Sequence, residues 1–511
     1  MQASDRREFL AEVGQGMMAA LVGTGLAAEL GLADPVLADA PATPALNRLA
    51  RLLQETPPTK LLGVFREQLE RKTSLRDLVA AGALANTHAF AGQHYEGYHT
   101  FMALAPAYVM AESLDTETRP LPVFKVLYRN ATLIHGNARQ KADLLAEEPP
   151  AAVDASKAQG DQLLAAARLR QVEVADGLAV KLHATQPSTA YDAIQPLVQD
   201  SLNVHKVVLA WRAWEILDFV GKDQARIMLR QTVRHCADYP VTSTPHMSVG
   251  IRETLPRLLE KHRLLSKEPG KRQADLALVE KLAHLMHVGT REDAAGAVAE
   301  ALADGIAPAS IAEAMGLASS LLVLGDPGRK QAWPGKPLGS VHGDSVGVHA
   351  ADAANAWRRI AGVTGARNTF ASLIAGAYHT AGQGTGQMPH RYPLAEDVEK
   401  ITLREPARLT DALDEAIRAG DQRRSCALTA CYLRQGHAAA ALMDLFRKYA
   451  ISEDGALHAE KYYHTVRDEC SRSRKEVRER HLLALARVTA SLVVGKPAPG
   501  LDEARKVFKK A

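Results

Sequence analysis

Cysteine is scarce: four thiols in 511 residues are too few to staple a scaffold, which removes the disulfide-rich class. Cys426 and Cys431 are five apart, a spacing that does not place them on one helical face, so they are not expected to pair. One bridge among the four, or four buried thiols, are both open at this stage. Charge of one sign is scarce as well. Sixty-two basic and 58 acidic residues leave a net charge of +4, and the basic ones are scattered rather than striped, which argues against a nucleic-acid partner. A small-molecule substrate is the expectation instead. Strict apolar/polar alternation over five or more residues is hard to find, so half-buried strands are not expected. The sequence also lacks a serine-nucleophile elbow, a Walker loop and a dinucleotide fingerprint. The glycine-rich run Gly382 to Gln387 follows a helical pattern with no strand before it. C-x-x-C-H is absent, which excludes covalent haem, and no repeat of fixed period emerges.

What is present is helical periodicity. Apolar residues recur at i, i+3, i+4 over Leu61 to Glu70, Pro120 to Leu145, Leu163 to Leu182, Ile251 to Leu265, Ala274 to Leu285 and Glu476 to Val494. At 47% hydrophobic the chain can bury a large core. The expected fold is all-α, a multi-helix bundle of two helical lobes around a histidine-rich interior. The wide Gly/Pro-rich stretch Leu324 to Gly339 suggests the boundary, giving residues 1–40 as signal and linker, 41–325 as the first lobe and 326–511 as the second.

The N-terminus carries Ser4 to Leu10, SDRREFL, followed by an apolar run from Val13 to Ala28. This resembles a twin-arginine (Tat) export signal, whose pattern is R-R-x-F-L. The run is shorter than the roughly 20 residues needed to cross a bilayer, so no stable membrane span is expected once the signal is removed. Cleavage is expected after the small residue Ala38. The resemblance implies the Tat machinery as a partner and a periplasmic destination.

Nineteen histidines supply the candidate chemistry, in three clusters. Ser340 to Arg358, SVHGDSVGVHAADAANAWR, holds His342, His349, Asp344 and Asp352. Asp344 or Ser345 can cap a helix on which His349 and Asp352 share a face, and the many alanines let a neighbouring helix approach closely. Asn86 to His99, NTHAFAGQHYEGYH, is the second. On one continuous helix from Leu78 to Met110, His88, Tyr95 and His99 would fall within about 40° of one another. Gly92 and Gly97 weaken that helix and suggest close approach by another element. The spacing is not the H-E-x-x-H of zinc hydrolases. His458 to His464, HAEKYYH, is the third. Imidazoles from separate helices converging in a bundle are how helical proteins build metal sites, and a His/carboxylate shell with open positions suits non-haem iron. His205, on a helix with Trp211 and Trp214, reads as a core residue, and His481 as an ordinary buried histidine.

Together the clusters resemble the questin-oxidase-like family of histidine-rich helical oxygenases. Its early N-H, middle H-G…H-A…R and later H-x5-H motifs are similar to Asn86 with His88, to His342-Gly343 with His349-Ala350 and Arg358, and to His458 with His464. The resemblance implies a mononuclear non-haem iron held mostly by histidines and, in some members, by a carboxylated lysine, here Lys461. It also implies Baeyer-Villiger or ring-opening chemistry with dioxygen. The expected function is therefore an exported, histidine-liganded iron oxidoreductase. Its metal ligands would come from His88, His99, His342, His349, His458 and His464, with Asp352 orienting an imidazole and Lys461 acting at the centre. The alternatives are a non-catalytic periplasmic helical binding or scaffold protein and a haem protein with axial histidine.

Overall fold

The computed structural model describes residues 43–136, 159–182, 186–238, 250–332, 337–341, 345–384, 386–452 and 457–492, with isolated positions at 145–154 and 501–506. The expected N-terminal signal, Trp333, His342 and Asp344 lie outside the described residues. Those described form 23 α-helices and two short 3-10 turns, with no strand among them. The fold is all-α.

Most of the periodic segments are helices at nearly the expected bounds, among them Pro58–Glu70, Pro120–Gly136, Leu276–Val288 and Lys475–Leu492. Two expected helices are each a pair. Leu163 to Leu182 divides into Gln159–Arg168 and Val172–Leu182, with Arg170 in the left-handed region at φ 58° between them. Leu78 to Met110 divides into Leu75–Phe90 and Tyr95–Glu112. There the chain turns at Ala91 (φ 48°) and Gly92 (φ 75°). A Cβ on Gly92 would sit 2.5 Å from the Gln231 carbonyl oxygen, so this turn is pressed against the Ala225–Asp238 helix and only glycine fits. His94 then caps the second helix, its Nδ1 accepting from the Gly97 N–H at 3.0 Å. Both glycines are where a neighbour approaches, Gly92 at the Gln231 backbone and Gly97 at the Phe90 ring, but only Gly92 stands in the break; Gly97 lies within the second helix.

Two hydrophobic clusters fill the interior, one drawn mostly from residues before 382 and one mostly from residues after 397. The Val346–Ala361 helix belongs to both. Val348 and Ala351 enter the second cluster, while Ala353, Trp357 and Ile360 enter the first. Its N-terminal turn lies against the Pro308–Gly325 helix, where a Cβ on Gly347 would come within 2.8 Å of the Val323 backbone. Pro308–Gly325 is long and apolar enough to cross a membrane, but 83% of its residues are buried inside the protein. It packs against Leu276–Val288, Val346–Ala361 and Lys475–Leu492, the position of a central core helix. All four cysteines are free and buried, consistent with thiols acting as small core residues.

Candidate imidazole cluster

Four helices bring one histidine each to a common place. His458 is the first residue of His458–Arg472, His205 the second of Val204–Glu215, His349 the fourth of Val346–Ala361 and His99 the fifth of Tyr95–Glu112. The rings form a closed circuit. Centroids are 4.9 Å apart for His99 and His205, 5.0 Å for His99 and His458, and 5.7 Å both for His205 and His349 and for His349 and His458. Tyr98 packs on His99, His205 and His235. Tyr95, 55% exposed, lies on His99 at 4.6 Å and His205 at 5.8 Å, so one tyrosine ring stands between the cluster and water.

Side-chain caps fix the starts of the Val346–Ala361 and Val204–Glu215 helices. Ser345 accepts from the Val348 N–H and Asn203 from the His205 N–H, satisfying donors that a helix end leaves over. A buried polar seam then locks three of the four helices together. Asn355 donates to Asp468 at 2.8 Å and to Glu469 at 2.9 Å, and Arg358 binds Glu469 at 2.8 Å. Arg359 lies over the Trp211 ring at 4.6 Å and pairs with Asp468 at 3.5 Å. Burial alone would raise the Glu215 carboxyl, but Arg212, His464 and Arg359 hold it down to about 2.

Lys461, 3% exposed, donates from Nζ to His99 Nδ1 at 2.8 Å. Burial lowers the proton affinity of His99, and the Lys461 ammonium and the other imidazoles lower it further. His205 is likewise driven well below its ordinary value by burial, then by His349 and Lys461. His235 is held down to about 4 by burial, against the pull of the Gly92 carbonyl that accepts from its Nδ1 at 2.8 Å. His99, His205 and His235 are therefore neutral near pH 7, the form in which imidazole binds metals. Buried polar atoms complete the picture: among the described residues no partner meets His99 Nε2 or either ring nitrogen of His205.

Several expected site residues lie elsewhere. His88 lies in the last turn of the Leu75–Phe90 helix, before the turn at 91–94, whereas His99 lies on the helix after it. His464 is six residues past His458, about 120° around the helix, and faces Glu215 at 3.7 Å. Asp352 does not orient an imidazole; its carboxylate accepts from Thr465 at 2.8 Å. Burial raises its pKa, opposed by Lys461. His99, His349, His458 and Lys461 do meet, and His205, read from the sequence as core, stands among them.

Two imidazoles bound to one ion at about 2.0–2.1 Å have ring centroids about 4.5–5.2 Å apart. The circuit thus has the donor type and close to the spacing of a metal site. Yet no group of three or more His, Cys, Asp or Glu side chains among the described residues points its donor atoms at one place. Spacing is set by four packed helices, whereas ring direction is set by a broad terminal torsion, so the spacing is the firmer property of the cluster. Compared with protein-family models, with curated proteins and with solved structures, the chain matches none.

Proposed function

We propose that this chain is a histidine-liganded metalloprotein, a non-haem iron oxidoreductase acting with dioxygen on a small organic substrate and exported by the twin-arginine route. The observation that carries the metal reading is His205, whose two ring nitrogens are buried with no hydrogen-bond partner. Each such group costs about 1–3 kcal/mol, a cost that an ion would remove from at least one nitrogen. His205, His349 and His458 are the residues to hold it; His99 accepts from Lys461 at Nδ1, which leaves its ring hydrogen on Nε2 and gives it a supporting place beside them. His342 remains a candidate by its place three residues before the Ser345 cap. His88 and His464 are not in the set. Iron and dioxygen rest on the resemblance to the questin-oxidase-like family, and an iron bound by imidazoles would supply dioxygen activation.

The chain's own part is positional. The bond from His235 Nδ1 to the Gly92 carbonyl fixes that ring beside Tyr98. Lys461 holds a positive charge against His99 and near Asp352, where it can stabilise an anionic oxygen or give up a proton. Tyr95 and Tyr98 cover the rings and limit water.

Elemental analysis of the purified full chain tests the reading. Stoichiometric iron is expected in the wild type, most of it lost in His205→Ala and in His349→Ala and all of it retained in His481→Ala. A folded wild type that takes up no first-row metal, as isolated or after anaerobic Fe(II) addition, would refute it. A non-catalytic binding protein is the second reading, favoured by the Lys461–His99 contact, which already serves one ring with an internal cation. That reading expects the metal-free outcome.

A further inference from the structure

A cleft of about 300 Å³ opens where four helices meet, Leu276–Val288, Pro308–Gly325, Gln422–Arg434 and Lys475–Leu492. It shares no residue with the imidazole cluster. Its floor is apolar: Leu317, Ala430, Val477 and Leu483 are buried within the fold and border the open volume. Its rim carries both signs of charge. Glu280 comes from the first helix, Arg434 from the third, and Glu476, Glu479 and Arg480 from the fourth. Among the described residues no ion pair closes between any two of these five, so acids and bases face the cleft from separate helices without neutralising one another.

The walls are braced against collapse. Arg474, at the entry to Lys475–Leu492, donates its backbone N–H to Glu313 at 2.7 Å, its Nε to the same carboxylate at 3.0 Å and its guanidinium to the Ala274 carbonyl at 3.0 Å. That ties the fourth helix to the second and to the start of the first. Ala274 is held in turn by the Ser310 hydroxyl at 3.0 Å, and Ser320 meets His481 Nδ1 at 2.7 Å behind the floor. Packed interiors leave few voids larger than a water, and an apolar wall with no neighbour forfeits its dispersion contacts. An apolar guest restores them. At about 30 Å³ per water the volume equals about ten waters, room for one small molecule and not for a polymer. A guest with a single charge would meet like charge on this rim as well as opposite charge, whereas a guest carrying both signs finds a partner for each.

We propose that this cleft binds a small zwitterion with an apolar body, the chemistry of a free apolar amino acid. Its ammonium meets the carboxylates of Glu280 and Glu476, its carboxylate meets Arg434 and Arg480, and its side chain lies on the apolar floor. The site stands independently of the metal reading. Calorimetric titration of the full chain with L-phenylalanine, phenethylamine and 3-phenylpropionate tests it, since the last two each lack one of the charges. One-to-one binding of phenylalanine is expected, tighter than that of either analogue. Glu280 and Arg434 are exposed, so changing them leaves folding intact. Arg434→Gln should weaken phenylalanine about fivefold, the size of one partly exposed ion pair, and should not weaken phenethylamine. Glu280→Gln should weaken phenylalanine by a similar factor and should not weaken 3-phenylpropionate. Absence of phenylalanine binding up to roughly 10 mM, tighter binding of either analogue, or unchanged phenylalanine affinity in either folded variant overturns the proposal.

Discussion

Replacing His205 with leucine separates a ring that binds something from one that is merely buried. In the metal-free chain the wild type carries two orphaned ring nitrogens, a penalty of about 2–6 kcal/mol at about 1–3 kcal/mol each. Leucine removes both while keeping an apolar side chain in place. It forfeits the ring contacts with Tyr95, Tyr98, His99 and His349, about 1–2 kcal/mol together if most are weaker than an ideal aromatic pair. The balance is a gain of about 0–5 kcal/mol for His205→Leu in chelator-treated protein. With metal the balance shifts toward the wild type, since a ligand at about 1,000 times its Kd adds about 4 kcal/mol to the wild type and the variant loses that share. Urea midpoints of both proteins, with and without Fe(II), give the four values required. A His205→Leu chain less stable than wild type in chelator would show that the ring is satisfied by the protein itself, and the argument for a bound ion would fall.

Three further outcomes are expected. The Lys125–Glu460 pair, 2.5 Å apart with side chains 2% and 0% exposed, should cost about 3–5 kcal/mol on Glu460→Gln or Lys125→Met alone. The double change to Met at both positions should recover most of it in chemical denaturation, and additive losses would contradict a coupled pair. His379 and His481 are both held down to about 3, first by burial. Each folded-state pKa lies below the unfolded value of about 6.5, so their stability is full above about pH 6.5 and is lost as pH falls toward 3. By pH 4.5 each should have cost about 2–3 kcal/mol, and His481→Gln should flatten the decline in urea midpoint between pH 6.5 and 4.5 relative to wild type; an equal slope in both would contradict the assignment. Arg6 and Arg7 both changed to Lys should leave a folded, uncleaved chain in the cytoplasm, while the wild type is found outside and shorter by about 38 residues; N-terminal sequencing of each fraction reads this, and mature wild-type chain retaining Met1 in the cytoplasm would remove the export proposal.

Helices were legible because apolar periodicity is a local property that their own residues carry. The break at Ala91 to His94 was not, since it depends on Gly92 meeting a backbone more than a hundred residues away at Gln231. His349 was legible from its cap and its alanine-rich helix. His205 was hidden by its own helix. Trp211 and Trp214 mark that helix as core, and its later turns are core, but its second residue faces the cluster. The useful signal, a histidine within the first turn of a helix, occurs at 205, 349 and 458 alike, and at 205 and 349 a side-chain cap precedes it. His88 and His464 were misplaced for the complementary reason. Proximity in sequence to a cluster histidine does not survive a turn or a 120° rotation.

The contact between Lys461 and His99 spans 362 residues, and this sets a schedule for the site. A ribosome adding roughly 5–20 residues per second leaves His99 waiting about 20–70 s before Lys461 exists. Through that interval the Tyr95–Glu112 helix lacks one of the helices that pack on it, and the part of its buried face that meets His458–Arg472 needs other cover. The circuit of four rings therefore closes only after synthesis is nearly complete. A chain cut short anywhere before residue 458 cannot acquire it.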